Sequence, residues 1–305
     1  MPQQMVHIAC VQNAQPLADR EDRTALNSAI RHAAALGAQL ILLPELHQGP
    51  YFCQTEELAP FDDAEPVPGP TTAWLAAIAA ELGVVIVGSV FERRAAGLYH
   101  NTAVVLDSDG RLAGVYRKMH IPDDPGFYEK FYFTPGDGPP QGPGFATVDT
   151  AVGRLGVLVC WDQWFPEAAR LMALAGAELL LYPTAIGWDP DDSADEQARQ
   201  LDAWITVQRS HAVANGLPVA ACNRVGFEAT PATAGTATGT GIRFWGNSFV
   251  CGPQGEMVAR AGSDGEEVVA AVLDLGRSEQ VRRIWPFLRD RRVDAYGDLL
   301  KRWRD

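Results

Sequence analysis

Short apolar runs alternate with longer amphipathic segments along most of the chain. The runs at 40–43, 84–90 and 156–159 are almost entirely apolar, which is typical of strands that are covered on both faces. Residues 20–36 instead carry apolar side chains at helical spacing, and Gly37 is a suitable helix end. This alternation predicts an α/β protein with mixed sheets covered by helices.

Hairpin and loop signals complete the pattern. Residues 101–106 and 112–118 flank Asp107-Ser108-Asp109-Gly110, a turn signal that predicts a hairpin. Residues 122–144 form a long loop rich in Pro, Gly and aromatic residues, and loops of this length are usually functional. The other predicted helices are 71–82, 165–175 and about 194–215, and the other predicted strands are 6–13, 146–149, 154–160, 178–182, 217–223, 247–251, 257–261 and 268–273.

Length and composition indicate one ordinary globular domain. The chain has 305 residues, 47% of them hydrophobic and 21% charged, and no linker divides it. We therefore expect a single domain over 1–305. Its C-terminal segment 277–305 is charged and carries Trp285, Tyr296 and Trp303, so we expect this segment to pack at a subunit interface.

Charge and hydropathy argue against some classes of binding partner. The formal net charge is −13, which argues against nucleic acid or an anionic membrane as a partner and permits a cationic ligand. No apolar run approaches the ~18–20 residues that span a bilayer, and residues 1–10 do not resemble a signal peptide.

Cysteine and histidine usage predicts no metal and no disulfide framework. The five cysteines are scattered without a CxxC pair, which fits a reducing cytoplasm. The six histidines show no paired-ligand spacing. Neither GxGxxG after a strand nor a P-loop occurs, so no cofactor is expected.

Three ionisable residues follow predicted strands. Cys160 follows the run 156–159 and precedes Pro166, which suits the first turn of a helix, so Cys160 lies near an elbow where a thiolate is favoured. Glu45 and Lys118 likewise follow strands, and ligands gather at strand carboxyl ends in open α/β sheets. Taken singly, Cys160 is more simply a buried apolar residue, Glu45 a loop acid and Lys118 a surface lysine. Together they form a nucleophile, a base and an oxyanion partner.

The segments around these residues resemble the motifs of the nitrilase superfamily of carbon–nitrogen hydrolases. Residues 42–45 match its Glu motif, 116–120 its Lys motif and 159–162 its Cys motif, in family order and spacing. Glu129 matches a second glutamate found in many members. The resemblance covers about the entire chain. It implies a four-layer α-β-β-α sandwich of two mixed sheets flanked by helices, no cofactor, and a homo-oligomer that is a dimer or an assembly of dimers.

The match is closer to one branch, the N-carbamoylputrescine amidases of polyamine synthesis. The similar segments are 51–54, 118–137, 160–170, 182–187 and 246–249. Two departures flank the expected pocket: His47-Gln48-Gly49 where the branch often has Phe-Glu-Gly, and Trp188-Asp189-Pro190 where it often has Ser-Glu-Pro. The resemblance implies hydrolysis of N-carbamoylputrescine to putrescine, carbon dioxide and ammonia through a thiocarbamoyl enzyme.

Catalytic roles also come from the resemblance. It implies that Glu45 accepts the Cys160 proton and that Lys118, with the backbone N–H of Trp161, holds the oxyanion. Glu129 orients Lys118 or the leaving amine; its alternative is a simple ion pair with a loop cation.

An acidic loop follows the predicted strand 178–182. A putrescine-like substrate carries a distal ammonium, which carboxylates and the face of Trp188 or Trp161 would suit. A solvated loop that caps the next helix is an equal alternative. We favour Asp189 because it lies nearest the strand end. The candidate substrate-binding residues are Tyr51, Trp161, Thr184, Ala185, Trp188 and Asp189.

Two rival functions stay open. One is a related amidase for N-carbamoyl-β-amino acids, N-carbamoyl-D-amino acids or ω-amides, whose carboxylate would call for a cation such as Arg224. The other is a catalytically silent binding protein on the same fold, against which the intact triad argues.

Overall fold

The structure is a computed structural model that describes residues 4–14, 22–230 and 240–304. Within these ranges the helices are α1 (Thr24–Ala35), α2 (Pro70–Leu82), α3 (Glu129–Tyr132), α4 (Pro166–Leu174), α5 (Ala194–Asn215) and α6 (Gly276–Ile284). The strands are β1 (Met5–Gln12), β2 (Leu40–Leu42), β3 (Val85–Ala95), β4 (Leu98–Leu106), β5 (Leu112–Arg117), β6 (Val148–Thr150), β7 (Gly153–Val157), β8 (Leu179–Pro183), β9 (Gly187–Trp188), β10 (Val219–Cys222), β11 (Val225–Ala229), β12 (Gly241–Trp245), β13 (Phe249–Cys251), β14 (Met257–Arg260) and β15 (Glu267–Asp274).

Two mixed sheets of six strands form the centre of the fold. The first has the order β15-β1-β2-β3-β4-β5 and the second β14-β13-β10-β8-β7-β6. Strand β2 shows why they stack. Leu40 and Leu42 point into the core shared with the second sheet, whereas Ile41 joins the core beneath α1 and α2. Both faces of this strand are thus covered.

Helices α4 and α5 cover the outer face of the second sheet. Their side chains Met172 and Trp204 are fully buried in the same core as β7 and β8. Helix α4 lies very close to the sheet, because a Cβ at Gly156 would approach Met172 Cβ to 3.0 Å. The order helix, sheet, sheet, helix confirms the predicted four-layer α-β-β-α sandwich.

The sequence missed a third sheet, which has the order β11-β12-β9. Its strands lie in a region rich in Gly and Thr, and β9 has two residues, so neither gives a clear alternating pattern. Other differences are small: β3 runs on to Ala95 and the apolar run at 40–43 forms strand only to Leu42. Helix α5 has the predicted bounds. The predicted helix start at residue 20 lies outside the described residues.

The described part of the C-terminal segment, residues 277–304, has two parts. Helix α6 packs on the body through Ser278 and Val281, and Arg282 donates a hydrogen bond to the Asn215 carbonyl. The residues after α6 expose large apolar side chains, among them Leu300 at 94% and Trp303 at 81% of their surface. No helix in the described ranges combines the length and apolarity that a membrane crossing requires.

Candidate active site

Cys160 occupies a strained position at the end of the β7 segment. It begins a short 3₁₀ helix, Cys160–Trp164, and helix α4 follows at Pro166. Its φ is +43°, a left-handed conformation that is uncommon for residues other than glycine and is frequent at functional sites. The Sγ atom lies 3.7 Å from the Ala185 carbonyl oxygen, and the residue is 4% exposed. The expected elbow is therefore present, and the thiol is directed by its backbone.

Glu45 lies in the turn after β2 and is completely buried. Its Oε1 accepts hydrogen bonds from Lys118 Nζ at 2.7 Å and from Asn101 Nδ2 at 2.6 Å. Its Oε2 is also buried and accepts no hydrogen bond from the described residues. One oxygen is thus fixed by two donors while the other is left able to take a proton.

Lys118 bridges two carboxylates. Its ammonium contacts Glu45 and also Glu129 Oε2 at 2.7 Å, and all three side chains are at most 1% exposed. Glu129 Oε1 accepts the hydroxyl proton of Tyr51 at 2.7 Å. The structure thereby brings three of the four predicted catalytic side chains, Glu45, Lys118 and Glu129, into direct contact. Tyr51 joins this cluster through its hydrogen bond to Glu129.

Burial and charge set the protonation states of this cluster. Burial would lower the pKa of Lys118, yet Glu129 and Glu45 raise it well above its usual range, so the ammonium is charged. Burial raises the pKa of Glu129 to about 7 against the opposing effect of Lys118. Burial also raises the pKa of the Cys160 thiol well above its usual range, with a further contribution from the Glu45 charge. Cys160 is therefore a thiol at rest, not the thiolate expected at the elbow, and it would need a base to act as a nucleophile.

A second network joins the Lys and Cys segments. The buried Asp162 carboxylate accepts hydrogen bonds from Tyr116 Oη at 2.8 Å, from the Val159 N–H at 2.9 Å and from the His120 N–H at 3.0 Å. His120 Nδ1 also lies 2.7 Å from Asp162 Oδ1. Asp162 therefore ties the residue before Cys160 to the segment just after Lys118.

A cavity of about 370 Å³ opens onto Cys160 and Glu129. Aromatic residues make up much of its wall, and three aspartates line it as well. None of its lining residues within the described ranges is Lys, Arg or His. The aromatic residues are Phe127, Trp161, Trp164 and Trp245, and the aspartates are Asp124, Asp189 and Asp192.

The candidate substrate-binding residues divide into two groups. Trp161, Ala185 and Asp189 line the cavity. The other three candidates, Tyr51, Thr184 and Trp188, are not among its lining residues, and we call them supporting residues.

Each supporting residue has a defined contact. The carbonyl of Thr184 accepts the Glu45 N–H at 3.3 Å, and Tyr51 is held against Glu129. The ring of Trp188 lies 5.4 Å from that of Trp245 and its Nε1–H donates to the Gln197 carbonyl.

Sequence reasoning missed Asn101, which holds two of the predicted catalytic residues at once. Its side chain donates to Glu45, and its carbonyl accepts the Lys118 N–H at 2.9 Å. The signal available was its position at the start of the predicted strand 101–106, antiparallel to the strand that ends at Lys118. A strand asparagine has no distinctive pattern, so the sequence did not single it out.

The fold, the Cys160 elbow and the buried carboxylate–ammonium cluster together define a hydrolase site. The chain belongs to the carbon–nitrogen hydrolase family, whose model matches residues 7–283. It is therefore a hydrolase of carbon–nitrogen bonds other than peptide bonds.

Three individual proteins show how similar the chain is to other members in sequence and structure. The chain is 46% identical over 273 residues to the N-carbamoylputrescine amidase of Solanum lycopersicum, covering 89% of this chain and 87% of that protein. It is 40% identical over 299 residues to the citrullinase of Francisella tularensis subsp. tularensis, covering 98% of this chain and 99% of that protein. A solved carbon–nitrogen hydrolase from Helicobacter pylori G27 superposes with a TM-score of 0.91 at 51% identity, covering 98% of this chain and all of that one.

Proposed function

We propose that the chain hydrolyses N-carbamoylputrescine to putrescine, carbon dioxide and ammonia. The observation that carries the proposal is the cavity, which is lined by Cys160 and by three aspartates but by no cationic side chain of the described ranges. Such a lining suits a neutral carbamoyl group joined to a distal ammonium. The similarity to the amidase of Solanum lycopersicum supports the same substrate.

The first half of the reaction forms a covalent enzyme. Glu45 takes the Cys160 proton, and the thiolate attacks the carbamoyl carbon to form a carbon–sulfur bond. The oxyanion is held by the Lys118 ammonium and the Trp161 N–H. Glu45 then returns its proton to the departing nitrogen, the carbon–nitrogen bond breaks, and ammonia leaves a thiocarbamoyl enzyme.

The second half releases the product. Water gives a proton to Glu45 and adds to the thiocarbamoyl carbon, and the carbon–sulfur bond breaks. The thiol regains its proton, and the released carbamate loses carbon dioxide to leave the amine. Glu129 holds Lys118 in place throughout, because it accepts one of its N–H groups in the resting enzyme.

The distal ammonium would lie at the acidic wall. An alkylammonium remains protonated at neutral pH, because its pKa is near ~10. Asp189 is exposed and Asp192 half-buried where they line the cavity, and the face of Trp161 or Trp164 offers a cation–π contact. We keep Asp189 as the first candidate and add Asp192, which also lines the cavity.

Carboxylate-bearing substrates are the main rivals, and citrulline belongs with them because it carries both an ammonium and a carboxylate. Such a substrate needs a cation at the cavity. Arg224, the candidate from the sequence, is completely buried and donates to Glu45, Leu46, Gly49 and Glu228. Its contacts favour the cationic substrate without a carboxylate.

The test compares kcat/KM for ammonia release from N-carbamoylputrescine, citrulline, N-carbamoyl-β-alanine and N-carbamoyl-D-phenylalanine. We expect N-carbamoylputrescine to lead by at least about tenfold, which is ~1.4 kcal/mol in the barrier. Cys160→Ala should abolish release from all four. Preference for citrulline would keep the chemistry and overturn the substrate. No release from any of them, with Cys160 resistant to alkylation, would favour a silent binding protein.

We also propose that residues 285–304 pack against a second copy of the chain in a reducing, cytoplasmic setting. Several of their large apolar side chains are exposed, including Trp285, Leu300 and Trp303, and the cysteines of the described ranges are free thiols. Light scattering should give the mass of a dimer or a multiple of it. Leu300→Ser with Trp303→Ser should lower that mass, and cell fractionation checks the compartment. A monomeric wild type contradicts the proposal.

A further inference from the structure

The segment 45–51 carries two attachments to the catalytic cluster. Glu45 stands at its start and Tyr51, which donates its hydroxyl proton to Glu129, at its end. Between them the chain forms no strand or helix, and Leu46 has a φ of +48°. Such a backbone needs outside support to hold one conformation, because a left-handed leucine is strained.

Arg224 supplies that support from the connection between β10 and β11. Its Nε–H and one Nη2–H donate to the Glu45 carbonyl at 3.2 and 3.0 Å, and the second Nη2–H donates to the Leu46 carbonyl at 2.6 Å. One Nη1–H donates to the Gly49 carbonyl at 2.8 Å. Three carbonyls of the segment are therefore bound by one rigid, planar group.

Glu228 completes the arrangement. Its Oε1 accepts the remaining Nη1–H of Arg224 at 2.9 Å, and its Oε2 accepts the Tyr51 N–H at 2.6 Å. Arg224 is 0% and Glu228 3% exposed, and the guanidinium also lies 5.9 Å from the Tyr51 ring. All five N–H groups of Arg224 are used, and the ion pair reaches both ends of the segment.

We propose that Arg224 and Glu228 are a pair of positioning residues, which fix the segment 45–51 and so place Glu45 and, through Tyr51, Glu129 around Lys118. This rests on the proposed roles of Glu45 and Glu129. The pair acts on the backbone of the general base and does not contact substrate. Small displacements of a catalytic base are costly, since about 1 Å can reduce a rate about 100-fold.

Arg224→Lys and Glu228→Gln test the pair. A lysine cannot reproduce five N–H groups in a plane, and a glutamine replaces one acceptor oxygen by a donor. We expect each variant to lower kcat by about 10- to 100-fold while KM changes by less than about threefold. Because the two side chains act as one unit, the double variant should lose scarcely more activity than the worse single variant.

A second readout does not depend on the substrate. The Glu45 charge raises the pKa of the Cys160 thiol, so a displaced Glu45 should shift the pH dependence of Cys160 alkylation by iodoacetamide to lower pH. Ile30→Val serves as the control, because Ile30 is fully buried beneath the first sheet and far in sequence from the site. It should lower the melting temperature and leave kcat and the alkylation profile unchanged.

The outcomes are distinct. Lower kcat with a shifted alkylation profile, in variants that are folded at the assay temperature, supports the pair. Wild-type kcat and profile overturn it, and so does a selective rise in KM for carboxylate-bearing substrates, which would make Arg224 a substrate ligand. If the wild type releases no ammonia from any carbamoyl amine, the proposed function fails, while the alkylation profile still decides on the pair.

Discussion

Replacing Glu45 by glutamine tests its proposed role as the general base. The side chains have the same size, and the site is fully buried, so little repacking is required. A glutamine Oε1 can still accept from Lys118 and Asn101, the two donors that hold Glu45 Oε1. What disappears is the negative charge together with Oε2, which accepts no hydrogen bond from the described part of the chain and is the proton acceptor of the proposed mechanism.

The expected loss can be given a size. A positioned general base contributes about 10²- to 10⁴-fold, which corresponds to ~3–5 kcal/mol in the barrier. Because Lys118 keeps its contact with Glu129, the oxyanion partner stays charged and in place. We therefore expect kcat to fall by about 10²- to 10⁴-fold, with a smaller change in KM.

The same variant should change thiol reactivity in the opposite direction. The Glu45 charge raises the pKa of Cys160, so its removal lowers that pKa and should speed alkylation at a given pH. A protein that turns over poorly yet alkylates faster would show that the loss is in base catalysis and that the nucleophile is intact.

Ammonia release and iodoacetamide labelling measure the two effects. Glu92→Gln is a matched control, because Glu92 is a carboxylate of the same sheet, 2% exposed and bound to Arg117 and Thr102. It should keep wild-type kcat within about threefold. Near-full turnover by Glu45→Gln would refute the base assignment, and slower alkylation would refute the electrostatic reasoning.

Three further predictions follow from the cavity and its supports. Asp189→Asn should raise KM for N-carbamoylputrescine by about 5- to 50-fold, and equal effects on a neutral N-carbamoyl alkylamine would remove Asp189 from ammonium recognition. Because the pKa of Cys160 is raised, its thiolate fraction increases with pH, and alkylation of the wild type by iodoacetamide should become faster from pH 7 through pH 9. A plateau below pH 8 would contradict this, and Cys160→Ala is the control. Asp162→Asn should lower kcat by about tenfold or more and destabilise the fold by about 3 kcal/mol, measured by urea unfolding, because the amide cannot satisfy the donors that now reach the carboxylate.

The residues of the central cluster could be singled out from the sequence because they follow strand ends, and their catalytic roles stay a prediction. Glu45, Lys118 and Cys160 each follow a predicted strand, and the structure places Glu45 and Lys118 in direct contact. The unbroken apolar run of Leu40, Ile41 and Leu42 likewise indicated burial on both faces, which the structure shows. A local sequence pattern can therefore predict which faces of a strand are buried, or where the strand ends, before the tertiary structure is known.

The supporting residues could not be predicted, because their roles depend on contacts far apart in sequence. Arg224 binds carbonyls 175 to 179 residues away, and nothing in its neighbours indicates this. The sequence instead offered it as a ligand for a substrate carboxylate. Asn101 contacts Glu45 across 56 residues in the same way. The third sheet was missed for a different reason, since strands as short as Gly187–Trp188 carry no period.

The charge balance of the buried cluster explains why the nucleophile is held as a thiol. Two carboxylates share one ammonium, so ionising Cys160 as well would place a further negative charge in a site without water-like screening. Transfer of the thiol proton to Glu45 avoids this cost, because the negative charge moves from carboxylate to sulfur and the total is unchanged. In the proposed mechanism Lys118 contacts the carboxylate beforehand and is charged throughout, so it stabilises the oxyanion without a further proton transfer. The proposed mechanism therefore couples thiol activation to the attack itself, and under it rigid support of Glu45 is a requirement of the chemistry.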